Sequence, residues 1–132
     1  MRVDVDAVLA LIGDAFDRRI EGLLSGGVRG GHIVYGTDKV VEALRAGTAK
    51  LVLLAADART AAARNEVRMA TGVGTVLVLR GDRMRLAGVL GRHGDAAREG
   101  VAICAVTSEP LAAEVRRAWL MTGGTAQVEN AE

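Results

Sequence analysis

The sequence predicts an α/β protein: a three-layer α/β/α sandwich around a small mixed sheet of about four strands. Three short runs are apolar apart from Lys50 and Thr75, the first residues of two of them, and such runs are typical of strands buried on both faces. These runs are residues 50–56, 75–79 and 101–106. Segments with helical periodicity or helix-capping residues alternate with them, as expected for helices layered on a sheet. The chain has only one Phe, one Tyr and one Trp, so the core must be built from aliphatic side chains.

The first helix is predicted over residues 5–24, where apolar side chains recur every three or four positions. The glycine-rich stretch at residues 26–31 is expected to end this helix, and residues 32–35 are a short strand candidate. Thr37 is the expected N-cap of the second helix, because its hydroxyl can accept hydrogen bonds from exposed backbone amides. Gly47 stands where a C-cap glycine is expected.

Three further helices are expected between and after the apolar strands. The third, over residues 58–69, has Asp57 as its expected N-cap. The fourth is short and spans residues 82–90. The last begins after Ser108, tolerates the proline in its first turn, and extends to about residue 121.

Length and charge limit the classes of function. We expect residues 1–122 to form one domain and residues 123–132 to be a flexible tail. Lys plus Arg is 17 and Asp plus Glu is 16, which is not the strongly basic balance of a protein that coats nucleic acid. The single cysteine, the acidic amino terminus and the lack of a long apolar run favour a cytoplasmic protein without a membrane partner.

Motifs for catalysis and for cofactors are not found in the sequence. No glycine motif stands between a strand and a helix as a dinucleotide fingerprint requires, and there is no Walker loop. His32, His93 and Cys104 are too few to hold a metal ion. Cys104 lies within an apolar strand and is expected to be a core residue. We therefore expect no enzymatic activity, no metal and no cofactor.

The stretch GTDKVVEALRAGTAKLVLLAADA, residues 36–58, resembles the kink-turn-binding ribosomal protein superfamily, that is, the archaeal large-subunit protein L7Ae and its relatives. The bacterial branch found beside YlxR-type proteins is the most similar. LLSGGVRGGHIVYG, residues 23–36, takes the place of a phrase that follows the first helix in this branch, and LAGVLG, residues 86–91, matches its "LGxAxG". The resemblance covers nearly the whole chain. It implies a three-layer α/β/α fold and a non-catalytic protein that binds structured RNA, with ribosomal RNA among the candidates and no DNA partner.

The resemblance places the RNA-contacting surface at the start of the second helix and in the loop at residues 91–100. A helix amino end offers free amides and partial positive charge, so a phosphate could lie there. Residues 80–98 contain five Arg and two Asp, a local excess of three positive charges that could attract RNA. The expected RNA-binding residues are Arg29, Gly36, Thr37, Asp38, Lys39, Glu42, Arg80, Arg92, His93 and Arg98.

The start of the second helix departs from the kink-turn pattern. Kink-turn-binding relatives carry Asn-Glu-x-x-Lys there, whereas this chain has Asp38, Lys39 and Glu42 at those positions. An ionised Asp accepts hydrogen bonds but cannot donate them, and Glu42 would repel phosphate. We therefore expect kink-turn specificity to be weakened or altered.

Two alternatives to this function stay open. The phrase GHIVYGTDKVVEALRAG is also similar to the small RNA-substrate-binding domain that precedes knotted ribose methyltransferases, which would make the chain a non-catalytic accessory domain. The superfamily also includes stress-response proteins that bind proteins and dimerise, and Leu23, Val28, Val34 and Tyr35 could form such an interface. The acidic start of the second helix favours a protein partner or a homodimer, and the arginine-rich segment favours RNA.

Overall fold

The computed structural model describes residues 18–91 and 100–121. The strands are β1 (Ile33–Tyr35), β2 (Leu51–Leu54), β3 (Val76–Val78) and β4 (Ile103–Val106). The helices are α1 (described over residues 18–29), α2 (Thr37–Ala46), α3 (Arg59–Ala62), α4 (Asn65–Gly72), α5 (Arg83–Val89) and α6 (Glu109–Leu120). The strands form one mixed sheet in the order β1-β4-β2-β3. The predicted α/β class and the four-stranded mixed sheet are confirmed.

The last strand in the sequence, β4, lies inside the sheet. It pairs antiparallel with β1 on one side and with β2 on the other, so that Cys104 stands opposite both Tyr35 and Leu53. β3 pairs with β2 in parallel. Every residue of β2 and β4 is buried, as the continuous apolar runs predict for strands covered on both faces.

Two groups of helices cover the sheet. In one group, Arg45 of α2 forms hydrogen bonds of 2.9 and 2.6 Å with Glu66 of α4. The pKa of the Glu66 carboxyl is lowered. The largest cause is a hydrogen bond from its own backbone amide, and the next is the hydrogen bond from Arg45. In the other group, α1 contacts α5 through Ser25, whose hydroxyl donates to the Val89 carbonyl at 2.8 Å. The sheet between these groups is the middle layer of the three-layer sandwich.

The structure corrects the predicted end of the first helix. α1 continues through Gly26 and Gly27 to residue 29, and Gly31, with φ of 76°, follows its end. Gly27 is buried, and a Cβ there would lie 2.6 Å from Leu111 Cδ2 and 2.9 Å from Ile33 Cγ1. Close packing of α1 against its neighbours therefore accounts for Gly27, whereas only the second pair of glycines ends the helix.

Two of the predicted N-caps are wrong. Gly36 is the N-cap of α2 and Thr37 is its first residue, because the positive φ of the glycine already turns the chain out of β1. Asp57 does not cap the third helix, since Ala58 occupies that position without a side-chain hydrogen bond. The predicted helix at residues 58–69 is in fact α3 and α4, separated where Arg64 adopts an extended conformation.

The two other caps are confirmed. Ser108 is the N-cap of α6, and its hydroxyl accepts from the Leu111 amide at 3.4 Å. Gly47 is the left-handed C-cap of α2, with φ of 75°. The predictions for residues 5–17 and for the tail at residues 123–132 lie outside the described residues. None of the helices within the described part has the length and apolar character that a membrane crossing requires.

We predict opposite effects on stability for alanine at the two adjacent glycines of α1. Gly27→Ala should lower the free energy of unfolding by about 1 kcal/mol or more, because the new methyl group must displace Leu111 and Ile33. Gly26→Ala is the matched control, since a Cβ there would meet nothing within 4 Å in the described structure. It should raise the free energy of unfolding by roughly 0.5–1 kcal/mol through helix propensity. Urea denaturation measures both changes, and equal stabilisation would contradict the packing explanation.

Candidate functional site

One edge of the sheet brings together the ends of three strands and the starts of three helices. β1, β2 and β3 all run antiparallel to β4, so their carboxyl ends lie beside the amino end of β4. These three strands lead into α2, α3 and α5 respectively. We call this side of the sheet the upper edge, which comprises Gly36 to Lys39, Asp57, Arg80 to Arg83 and residues 100–102. Backbone amides at helix amino ends therefore concentrate there.

Gly36 joins β1 to α2 at the upper edge. Its φ of 94° and ψ of 143° are disfavoured for residues with a side chain. Its amide donates to the Ile103 carbonyl of β4 at 3.0 Å, and its carbonyl accepts from the Val40 amide at 3.0 Å. The turn is thus fixed both by the sheet and by the first turn of α2.

Three exposed charged side chains follow this turn. Asp38 Oδ1 lies 3.3 Å from Arg64 Nη1, although the Asp38 side chain is 97% exposed. Lys39 Nζ lies 5.5 Å from the centroid of the Tyr35 ring, within the range of a cation–π contact. Asp38 and Glu42 are four residues apart and therefore lie on the same face of α2. The start of α2 combines an acidic face with a lysine and with an arginine from the start of α4.

Asp57 connects two elements of the upper edge. Its Oδ1 accepts from the Arg83 amide at 2.9 Å, and its Oδ2 lies 3.3 Å from Arg83 Nε. Asp82, the N-cap of α5, accepts from the Arg85 amide at 2.9 Å. Because its carboxylate is engaged at the start of α5, Asp57 does not cap α3 as predicted.

Ion pairs reduce the positive charge that the arginine-rich segment was expected to present. Arg83 pairs with Asp57, as described above, and Arg85 makes two contacts with Glu21 of α1. Arg80 is exposed at the upper edge. At least two arginines of this segment, Arg83 and Arg85, therefore face carboxylates from other parts of the chain. The excess of three positive charges counted along the sequence overstates the charge at this surface.

The predicted RNA-binding residues are only partly brought together. Gly36, Thr37, Asp38, Lys39 and Arg80 lie at the upper edge, and Glu42 lies one helical turn further along α2.

Arg29 lies away from this group. It precedes β1, whereas Gly36 follows that strand. The intervening His32 carbonyl accepts from the Thr107 amide at 2.9 Å, just beyond the carboxyl end of β4. The structure thus places Arg29 near the opposite end of the strands from the other described candidates.

Arg92, His93 and Arg98 lie outside the described residues. The chain on the carboxyl side of this segment is fixed at the upper edge, where the Val101 amide donates to the Arg83 carbonyl at 2.9 Å. Val101 therefore lies beside the start of α5. The position of the loop at residues 91–100 beside the start of α2 stays a prediction, because residues 92–99 are outside the described part of the chain.

Sequence reasoning missed Arg64 as a member of the site. It contacts Asp38 across 26 positions of the chain, and no local pattern links the two residues. Its position depends on the break between α3 and α4, which the sequence did not predict.

The potential metal ligands and the single cysteine of the described residues bear on catalysis. No group of three or more potential metal ligands occurs within residues 18–91 and 100–121. Cys104 is buried in β4, and burial raises the pKa of its thiol to about 12. The reactive thiolate is therefore not populated at neutral pH, and the prediction that Cys104 is a core residue is confirmed.

The apolar residues considered for a protein interface are half-buried. Leu23, Val28, Val34 and Tyr35 all pack against the hydrophobic core. They contribute to the stability of the sheet and of α1, and they do not form a large exposed apolar patch.

Residues 18–108 match the model of the ribosomal protein L7Ae/L30e/S12e/Gadd45 family. Among solved structures, a protein of unknown function from Bacillus halodurans C is similar with a TM-score of 0.62 and 19% identity, over 79% of this chain and 96% of that chain. The 15.5kD RNA binding protein of Giardia lamblia is similar with a TM-score of 0.56 and 16% identity, over 95% and 92% respectively. No curated protein sequence matches. The structural likenesses show a shared fold.

We predict that Asp57 stabilises the upper edge mainly through its bond to the Arg83 amide. Asp57→Ala should lower the free energy of unfolding by about 1–2 kcal/mol, because it removes the acceptor for this amide. Asp57→Asn keeps an acceptor oxygen and loses only an exposed ion pair, which should cost at most about 1 kcal/mol. Urea denaturation compares the two variants. Equal losses of unfolding free energy in the two variants would show that the ion pair provides the stabilisation. An unchanged unfolding free energy in Asp57→Ala would contradict a contribution from either the hydrogen bond or the ion pair.

Proposed function

The chain belongs to the ribosomal protein L7Ae/L30e/S12e/Gadd45 family, and on this premise we propose that it is a non-catalytic protein that binds structured RNA. The fold it shares with the RNA binding protein of Giardia lamblia supports this proposal. The observation that carries it is the upper edge, where backbone amides of helix amino ends lie beside an exposed lysine.

A phosphate group fits the start of α2. The first amides of a helix have no partner within the helix and are oriented towards an incoming anion. Gly36 has no side chain to block the approach of a phosphate. Lys39 is the third residue of α2, and its ammonium group lies over the Tyr35 ring. Contacts to phosphate make affinity dependent on salt but do not read sequence. We therefore propose that this surface contacts the sugar-phosphate backbone of a folded RNA.

We further propose that kink-turn recognition is weakened or altered. Asp38 and Glu42 place two carboxylates where kink-turn-binding relatives carry an amide and an ammonium group. Arg64 offsets the charge of Asp38, because the two side chains form an ion pair. An ion pair at the surface is worth little in free energy, so Arg64 remains available to exchange its carboxylate partner for a phosphate.

Within the family, we place the chain in the bacterial branch found beside YlxR-type proteins. The phrases at residues 23–36 and 86–91 support this placement. A cytoplasmic role connected with translation is the corresponding proposal.

Two lysines near opposite ends of the strands test the proposed RNA surface. Lys39→Ala should weaken binding to structured RNA several-fold and should reduce the slope of log affinity against log salt by about one, because it removes a phosphate contact. Lys50→Ala removes the same charge near the other end of the strands, where the Lys50 amide donates to Val106 of β4. This variant should bind RNA like the unchanged protein. Fluorescence anisotropy with a kink-turn hairpin, a straight duplex and ribosomal RNA measures the affinities across salt.

The outcomes of this titration are distinct. Absence of binding at low salt would overturn the RNA proposal. Equal losses in the two lysine variants would overturn the placement of the surface at the start of α2.

A second prediction concerns kink-turn specificity. The combined change Asp38→Asn, Lys39→Glu and Glu42→Lys recreates the family pattern, and it should raise the preference for a kink-turn hairpin over a straight duplex by about tenfold, or ~1.4 kcal/mol. Glu42→Lys alone is the control, since it adds positive charge without the amide of Asn and should strengthen binding to both RNAs alike. Competition binding with the two RNAs measures the preference. An unchanged preference in the triple variant would show that these positions do not set the specificity.

A further inference from the structure

A groove at the opposite end of the strands from the upper edge is not part of the proposed RNA surface. It lies between α6 and the residue that precedes β2, and its volume is about 490 Å³. Its lining residues are Lys50, Glu109, Ala112, Ala113, Arg116, Arg117 and Leu120. We call it the α6 groove.

The α6 groove and the upper edge are anchored to opposite ends of β4. The Lys50 amide donates to Val106, the last residue of β4, at 2.8 Å. The Gly36 amide donates to Ile103, the first residue of this strand, at 3.0 Å. A ligand in the groove would therefore not touch the start of α2.

Positive charge dominates the lining of the groove, which has three cations and one carboxylate. Arg116 Nη1 donates to the Gly74 carbonyl at 3.1 Å. This neutral partner fixes the guanidinium without cancelling its charge, and it uses one of the five N–H donors of the side chain. A cation held in place in this way loses little conformational entropy when it binds an anion.

Arg117 contributes less charge than Arg116 does. It lies 3.2 Å from Glu114, and the same carboxylate lies 3.5 Å from Arg19 of α1. Glu114 thus faces two arginines, and its single negative charge cannot neutralise both. These three side chains together keep a net charge of +1 beside the groove.

The other lining residues are apolar and mostly small. Ala112 and Ala113 allow a ligand to approach the helix closely, and Leu120 is 53% exposed. Met121, which follows α6, is 61% exposed. Exposed aliphatic side chains beside cations suit a ligand that carries both apolar and acidic groups.

We propose that the α6 groove binds an acidic peptide segment of a partner protein. Carboxylates of the peptide pair with Lys50 and Arg116, and an aliphatic side chain of the peptide packs on Ala113 and Leu120. RNA fits this groove less well, because the lining residues within the described part of the chain include no aromatic ring on which a base could stack. Glu109 also repels a polymer that is negatively charged throughout its length.

The test uses a short capped peptide of Glu, Leu and Ser with a fluorescent label. Two matched probes replace every Glu by Gln or every Leu by Ala. The acidic peptide should bind the full chain, its affinity should fall with salt, and both matched probes should bind at least several-fold more weakly. Fluorescence anisotropy measures the three affinities. Equal binding of the Gln probe would overturn charge recognition, and equal binding of the Ala probe would overturn the apolar contact.

Variants of the chain locate the binding. Lys50→Ala and Arg116→Ala should each weaken the acidic peptide several-fold, and Lys39→Ala should leave its affinity unchanged. The Lys50 side chain is exposed, so Lys50→Ala tests the groove even if Arg116→Ala impairs folding. Unchanged peptide binding in Lys50→Ala would overturn the proposal.

Other occupants of the groove would give different results. Loss of RNA affinity in Lys50→Ala would make the groove an RNA surface. Concentration-dependent dimerisation in sedimentation experiments that Lys50→Ala abolishes would make the occupant a second copy. Either result would overturn the peptide proposal. Absence of peptide binding with RNA binding intact would overturn this inference alone, since it does not depend on the RNA surface.

Discussion

The pairing of β4 with both β1 and β2 is the interaction on which the rest of the structure depends. β4 comes last among the strands in the sequence, yet it lies between the first two and hydrogen-bonds to each. Its backbone also holds the turn at Gly36 and the residue before β2. The chain must therefore close long loops before the sheet is complete, which costs conformational entropy that the burial of β2 and β4 offsets.

This topology explains which parts of the fold could be predicted from the sequence. The buried strands were predicted well, because a continuous apolar run is a local property and two-sided burial follows from it. The strand order was not predicted, because pairing partners are distant in the sequence. The errors at Gly27 and Asp57 have the same cause. Gly27 packs against Leu111, 84 positions further along the chain, as well as against the nearer Ile33. Asp57 is engaged by Arg83, 26 positions away.

The charges of the candidate site also depend on contacts between residues that are distant in the sequence. Counting along the sequence assigned a positive surface to the arginine-rich segment, but Glu21 and Asp57 supply carboxylates to two of its arginines. The reverse happens at the start of α2, where Arg64 adds a positive charge beside Asp38. Local composition indicates which charges are present, whereas tertiary structure decides which of them are compensated. The start of α2 was predicted to within one residue, with Thr37 instead of Gly36 as the N-cap, because the beginning of an amphipathic helix is a local signal.

The short length of β4 limits how independent its two ends can be. Ile103 and Val106 are separated by three residue steps, or about 10 Å at the usual rise of a strand. This is close to the distance of about 8 Å over which physiological salt screens charges. Because the two surfaces lie beyond these ends, physiological salt would screen most of the repulsion between anionic ligands bound to them. No movement of the sheet is needed for such coupling, because repulsion between charges acts through space. The hydrogen bonds of Gly36 and Lys50 to β4 keep the two surfaces at a fixed separation.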